Sequence, residues 1–249
     1  MLFTLLKREL YSLFLSPVAW LVLAIAQALL SYLFLAQVEG YLLNQAQLAQ
    51  LPASPGFSRY ILTPWFNNAA IVLMLVIPLV TMRVISEERR QGSLTLLLAA
   101  PVSATEIILG KYFGVLLFIV VMVLLFLIMP LTLLSGGLLD LGLLVAGGVG
   151  LIMLAACFVA FGLYMSSLNS SPAVAAVAAV SGSMLLWVID WSGGTQQELT
   201  TLMAQLSLLR HFEPLMRGIV DSRDLGYFLL FSVFFLTLTT WRIAALRRG

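Results

Sequence analysis

The chain has 249 residues, 61% of them hydrophobic and only 10% charged, with a net charge of +2. A soluble domain carries about 25% charged residues, and a β-barrel alternates apolar with polar positions, so a mean hydropathy of +1.06 in continuous apolar runs reads as an all-α integral membrane protein. The single cysteine, Cys157, excludes a disulfide framework and a thiolate metal site.

Residues 1–16 form an amphipathic pattern. Thr4, Lys7, Arg8, Tyr11 and Ser12 recur at helical spacing among Leu2, Phe3, Leu6, Leu10, Leu13 and Phe14. A basic amphipathic helix of this kind lies in the plane of the bilayer surface, and Pro17 suits the turn into the first span. The first apolar run is longer than a secretory h-region, so it reads as a retained helix.

Six segments are long enough to cross about 30 Å of hydrocarbon: 17–38, 65–83, 111–134, 141–165, 172–190 and 225–242. None has an ionisable side chain in its interior, which argues against an intramembrane proton relay. Pro78 and Pro130 are expected to kink spans two and three. With the N-terminus inside, nine basic residues fall on the cytoplasmic side and four outside, the bias expected of inner loops. Both termini are therefore expected in the cytoplasm. Of the outer loops, 39–64 reads as irregular and 135–140 as a tight glycine turn. Loop 191–224 holds a capping-box pattern, Thr195 to Glu198, ahead of a short helix with Leu199, Leu202, Met203, Leu206 and Leu209 on one face.

Between spans two and three lies SEERRQGSLTLLLAAPVS, residues 86–103. Each charge placed in hydrocarbon costs about 2.5–3.5 kcal/mol on insertion scales, so Arg83, Glu87, Glu88, Arg89 and Arg90 belong outside it. Leu94, Leu97 and Leu98 share a helical face, and Pro101 ends the helix because the residue before a proline resists the α conformation. Ser103 and Glu106 form the capping box of the next helix. The expected element is a short flat helix over 86–102, its charged end facing water or a partner. Residue physics alone slightly favours an ordinary interfacial helix with a solvated charge run over a docking element.

The pattern Glu88, Gly92, Ser93, Leu94, Leu97, Leu98, Pro101, Val102, followed by Gly110-Lys111, resembles the signature of ABC-2-type transporter permeases. HFEPLMRGIVDSRDLGYF, residues 211–228, is similar to the corresponding stretch of the gliding-motility-type permeases, a bacterial subgroup. Ser93 stands where threonine is commoner. The resemblance implies a single permease domain over 1–249 in a bacterial inner membrane, with 86–102 as the coupling helix that docks on a separate ATP-binding subunit. Glu87, Glu88, Arg89, Arg90, Gly92, Leu94, Leu97, Leu98 and Pro101 would then serve coupling. It further implies a second permease copy or paralogue and a periplasmic auxiliary protein. ATP and Mg would be bound by the ATP-binding subunit and no cofactor by this chain. A P-loop is missing here, since Thr105 and Tyr112 replace the first glycine and the hydroxyl residue around Gly110-Lys111. Membrane lipids are expected contacts, and nucleic acid is not.

Two other readings compete with transport. A mechanotransmitter of the same fold would pass ATPase motion to a periplasmic partner, and an intramembrane hydrolase would use Ser183 with His211, the single histidine. Small residues every four positions (Ala175, Ala179 and Ser183; Gly142, Ala146 and Gly150) fit helix packing better than catalysis. His211, Glu213, Arg217, Asp221, Arg223 and Asp224 are the candidates for an outer gate; solvation of the last three is the plainer reading.

Overall fold

A computed structural model describes residues 2–48, 56–93, 102–136, 139–189 and 205–247. Every regular element among them is helical: α1 Leu2–Phe14, α2 Pro17–Leu48, α3 Phe57–Arg90, α4 Ala104–Leu131 with a 3-10 turn over Thr132–Gly136, α5 Leu141–Leu168, α6 Pro172–Val188, α7 Leu208–Met216 and α8 Ser222–Leu246. Five of these (α2, α3, α4, α5 and α8) are long and apolar enough to cross a membrane. The sixth expected span corresponds to α6, which has 17 residues and begins at Pro172. At 1.5 Å per residue it reaches about 26 Å, the lower limit for a crossing.

Five of the six expected spans are longer as helices than their apolar runs suggested, while α6 is shorter, ending at Val188. α3 runs as one helix of 34 residues from Phe57 to Arg90 and takes Pro64 and Pro78 into its interior. Much of the loop expected over 39–64 is therefore helical, with α2 reaching Leu48 and α3 starting at Phe57. At the other end, Ser86–Arg90 complete α3 and do not open a separate flat helix. Gly92, at φ +73°, ends it: glycine enters this left-handed region without the Cβ clash that other residues meet. The rest of the expected helix, 94–101, lies outside the described residues, as do Thr195 and Glu198.

The centre of the bundle is α3 against α5, each more than 70% buried over its apolar stretch, whereas α2 and α8 are less than 30% buried and stand at the periphery. Lipid tails give apolar side chains no reason to leave them, so close packing must hold such helices together. Gly147 and Gly162 allow it: a Cβ at either would overlap Phe66 or Thr81 of α3. Ala175, Ala179 and Ser183 of α6 are each 1% exposed, as their spacing predicts. In α5, Ala146 is buried and Gly150 leaves room for Leu215 and Phe212 of α7. Gly142 does not join that row; it is exposed, in the first turn, and its N–H is capped by Asp140. The amphipathic α1 matches expectation, with Thr4, Lys7, Arg8, Tyr11 and Ser12 all on its exposed face. Its other side packs on α4, where a side chain at Gly114 would come within 2.8 Å of the Glu9 Cβ.

Candidate functional site

Both termini and both flanks of 94–101 meet at one end of the bundle. There the Lys111 side chain of α4 is only 3% exposed. An unpaired ammonium so buried costs several kcal/mol, and Lys111 is fully provided with partners. It donates to Glu9 Oε1 of α1 at 2.8 Å, to Glu88 Oε1 of α3 at 2.7 Å, and to the Val84 carbonyl at 3.0 Å. An ammonium has three N–H donors, so one side chain uses all of them to tie three helices. Two carboxylates against one ammonium leave the group with an excess negative charge. Glu88 Oε2 is buried and accepts no hydrogen bond from the described residues.

The last turns of α3 are also fastened to α5. Ser166 Oγ donates to the Met82 carbonyl at 3.0 Å and accepts from the N–H groups of Ile85 and Ser86. On the far flank of 94–101, the expected capping box is present. Glu106 N–H donates to Ser103 Oγ at 3.2 Å, and Ser103 N–H donates to Glu106 Oε2 at 3.1 Å. That N–H first, and the Ser103 hydroxyl second, hold the Glu106 carboxyl below its usual range. Arg247, at the end of α8, donates to the Val102 carbonyl at 3.1 Å. Residues 94–101 thus spring from two anchored roots, one on α3 and one on α4.

The residues expected to serve coupling divide between roots and segment. Glu87 is exposed enough to act at a surface, and Arg90 and then Gln91 hydrogen-bond it and lower its carboxyl's pKa. Arg89 is partly buried and Arg90 exposed. Glu88 departs from the expectation of a charged end facing water, because its carboxylate turns inward to Lys111. Leu94, Leu97, Leu98 and Pro101 lie outside the described residues. Sequence reasoning counted Lys111 and Arg247 among the cytoplasmic charges, read Lys111 further only within the Gly110-Lys111 pair, and gave Glu9 no role. The available signal was Lys111 itself, a lone cation at the head of a 24-residue apolar run (111–134), where a charge needs partners.

The opposite end of the bundle holds the other expected cluster. His211 is on α7, whose apolar face (Leu208, Phe212, Leu215, Met216) is buried. Its Nδ1 lies 2.7 Å from Asp224 Oδ1 of α8 and its Nε2 lies 3.1 Å from the Gln205 carbonyl. Both partners are acceptors, so a doubly protonated ring satisfies both and a neutral ring only one. Tyr227 stacks on the imidazole at 4.0 Å between centroids and donates to the Leu206 carbonyl. Gly218, at φ +83°, ends α7 in a Schellman motif, with Ile219 N–H donating to the Pro214 carbonyl. Glu213 and Arg217 pair on the exposed face. Asp221 accepts from Arg223 N–H and so caps α8, while the Arg223 side chain is exposed. Of the six outer candidates, the structure brings His211 and Asp224 together across helices and keeps the rest local. Ser183 Oγ is buried with no hydrogen-bond partner among the described residues, and both His211 nitrogens are engaged elsewhere. Among the described residues Ser183 and His211 make no contact of the kind hydrolysis needs.

A family model described as an ABC-2 family transporter protein matches residues 44–195, more than half of the chain. The matched stretch includes Glu88, Lys111 and the whole of 94–101. No curated protein matches the chain.

Proposed function

Because the chain belongs to the ABC-2 family of transporter proteins, we propose that it is the membrane-spanning permease subunit of an ATP-driven exporter, powered by a separate ATP-binding subunit. In this reading α6 is the sixth span, both termini and residues 84–111 are cytoplasmic, and the His211 end is external. The nine-to-four bias of basic residues supports that orientation. A second copy or a paralogue completes the pathway, and 94–101 receives the ATP-binding subunit.

The observation that carries the reading is the Lys111 junction. A segment pushed by a partner moves a membrane bundle only if its ends are fixed to the spans. Here Glu88 and Lys111 join the two roots directly, and Glu9 adds the surface helix to the same point. Displacement at 94–101 would pass to α3, α4 and α1 as rigid bodies. The apolar stripe of Leu94, Leu97 and Leu98 supplies the anchors for a docking groove. ATP hydrolysis by the cognate ATP-binding subunit should change on addition of this chain in lipid vesicles. Equal turnover with and without the chain contradicts the reading.

A further inference from the structure

Beside the Lys111 junction, α1, α2 and α3 enclose a cleft of about 400 Å³. Two charged groups of opposite sign line it. Arg8 and Arg83 bring guanidinium groups that form no salt bridge with a described residue, although Arg83 lies in the field of Glu87, a third lining carboxylate that is itself paired with Arg90. Glu9 and Glu88 bring the carboxylates that outnumber Lys111 two to one, including the buried and unpartnered Glu88 Oε2. The hydroxyl residues Ser12 and Ser16 stand on the same wall.

The remaining wall is apolar and leads outward. Val22 and Leu79 line the cleft with Val18, and Val18 and Leu79 are about half exposed on the peripheral surface of the bundle. In a bilayer that surface is occupied by acyl chains. An occupant must therefore carry an anion for the arginines, a hydrogen-bonding cation for the carboxylates and a hydrocarbon tail. We propose that this cleft binds a phospholipid with a primary-ammonium headgroup, phosphatidylethanolamine, from the leaflet at the end that carries both termini. Arg8 and Arg83 hold the phosphodiester, the geometry guanidinium groups suit best. The ammonium N–H groups go to the carboxylate pair, and the chains run along Val18, Val22 and Leu79. An anionic headgroup would bring a second negative charge to carboxylates already in excess, and a trimethylammonium headgroup has no N–H to give them. The lipid would thus bear on Glu9 and Glu88, and so on the helix junction itself. The inference stands on the cleft and does not require an ATP-binding partner.

The test is lipid competition on the full chain in nanodiscs of mixed phosphatidylethanolamine, phosphatidylcholine and phosphatidylglycerol, read by native mass spectrometry. The expected result is selective retention of phosphatidylethanolamine by the wild-type chain. Arg8→Gln, a change at an exposed position, should lower retention about tenfold, as loss of one charge-assisted hydrogen bond implies. Arg223→Gln, exposed at the opposite end of the bundle, should leave it unchanged. Retained lipid that mirrors the bulk mixture overturns the proposal, as does equal retention of phosphatidylcholine or preference for phosphatidylglycerol. Wild-type-like retention in Arg8→Gln together with Arg83→Gln overturns it as well.

Discussion

Lys111 and Glu88 meet 2.7 Å apart, joining an early turn of α4 to the last turn of α3. The chain between them contains the whole of 94–101, so this one contact closes the base of the segment. Removing the cation alone should be costly. Lys111→Met leaves two carboxylates facing each other beside the cleft with no cation between them, and breaking a buried pair destabilises by up to about 3–5 kcal/mol. Thermal unfolding in detergent should show a lower midpoint. The triple change Lys111→Met, Glu9→Gln, Glu88→Gln, which removes every charge, should recover much of the loss. A single variant as stable as wild type would remove the junction's structural importance.

The contact of α1 with α4 has its own test. A methyl group at Gly114 would come within 2.8 Å of the Glu9 Cβ and 3.5 Å of the Leu6 carbonyl. Gly114→Ala should push α1 outward, draw Glu9 from Lys111 and cost about 1–3 kcal/mol, the range for overpacking. Gly226→Ala, where nothing lies within 4 Å, is the matched control and should be neutral or slightly stabilising. Thermal midpoints of the two variants decide it.

The fold class was legible in the apolar runs, and the polar face of α1 and the Ser103–Glu106 box were legible at single residues. The starts at Pro17, Leu141 and Pro172 were legible too, but the ends of α2 and α3 were not. Hydropathy marks where a helix would meet lipid, whereas α3 continues to Arg90 because Lys111 and Ser166 engage its last turns. The site was half legible for the same reason. Glu88 was visible as a charge near a docking stripe, but its inward direction depends on Lys111, 23 residues further on. Glu9 is 102 residues from Lys111, a pairing that no local pattern carries. At the other end, Asp224 was read beside Asp221 and Arg223, yet its partner is His211 on a different helix.

Acid should weaken the cap of α4. The Glu106 carboxyl is lowered chiefly by the Ser103 N–H, so its contribution is present above the unfolded carboxylate value. It is lost as pH falls through the lower folded value. Wild type should therefore exceed Glu106→Gln in thermal midpoint at neutral pH, and the gap should close on acidification below the carboxylate range. A gap that stays constant or widens in acid contradicts this assignment.

Sidedness follows from the proposed orientation. In a Cys157→Ala background, which removes a buried thiol, single cysteines at 90 and 205 should label from opposite sides of the membrane. Position 90 should react from the cytoplasmic side and 205 from the outside. Labelling of 205 from the cytoplasmic side alone would invert the topology and move the coupling segment with it.

The central claim is that 94–101 engages an ATP-binding subunit while its roots serve the bundle. Leu97→Asp tests this most directly. One buried apolar anchor can carry about 2 kcal/mol or more of an interface, and a carboxylate forced into a closed groove adds a penalty of its own. Glu88→Lys is not a mild comparison, because it would set a second ammonium beside Lys111. The measurement is co-purification of the ATP-binding subunit with detergent-solubilised permease, alongside the amount of permease in the membrane. The account predicts that Leu97→Asp loses the subunit and leaves the permease inserted at its normal level. Retention of the subunit, or loss of the permease from the membrane with no selective loss of its partner, would contradict it.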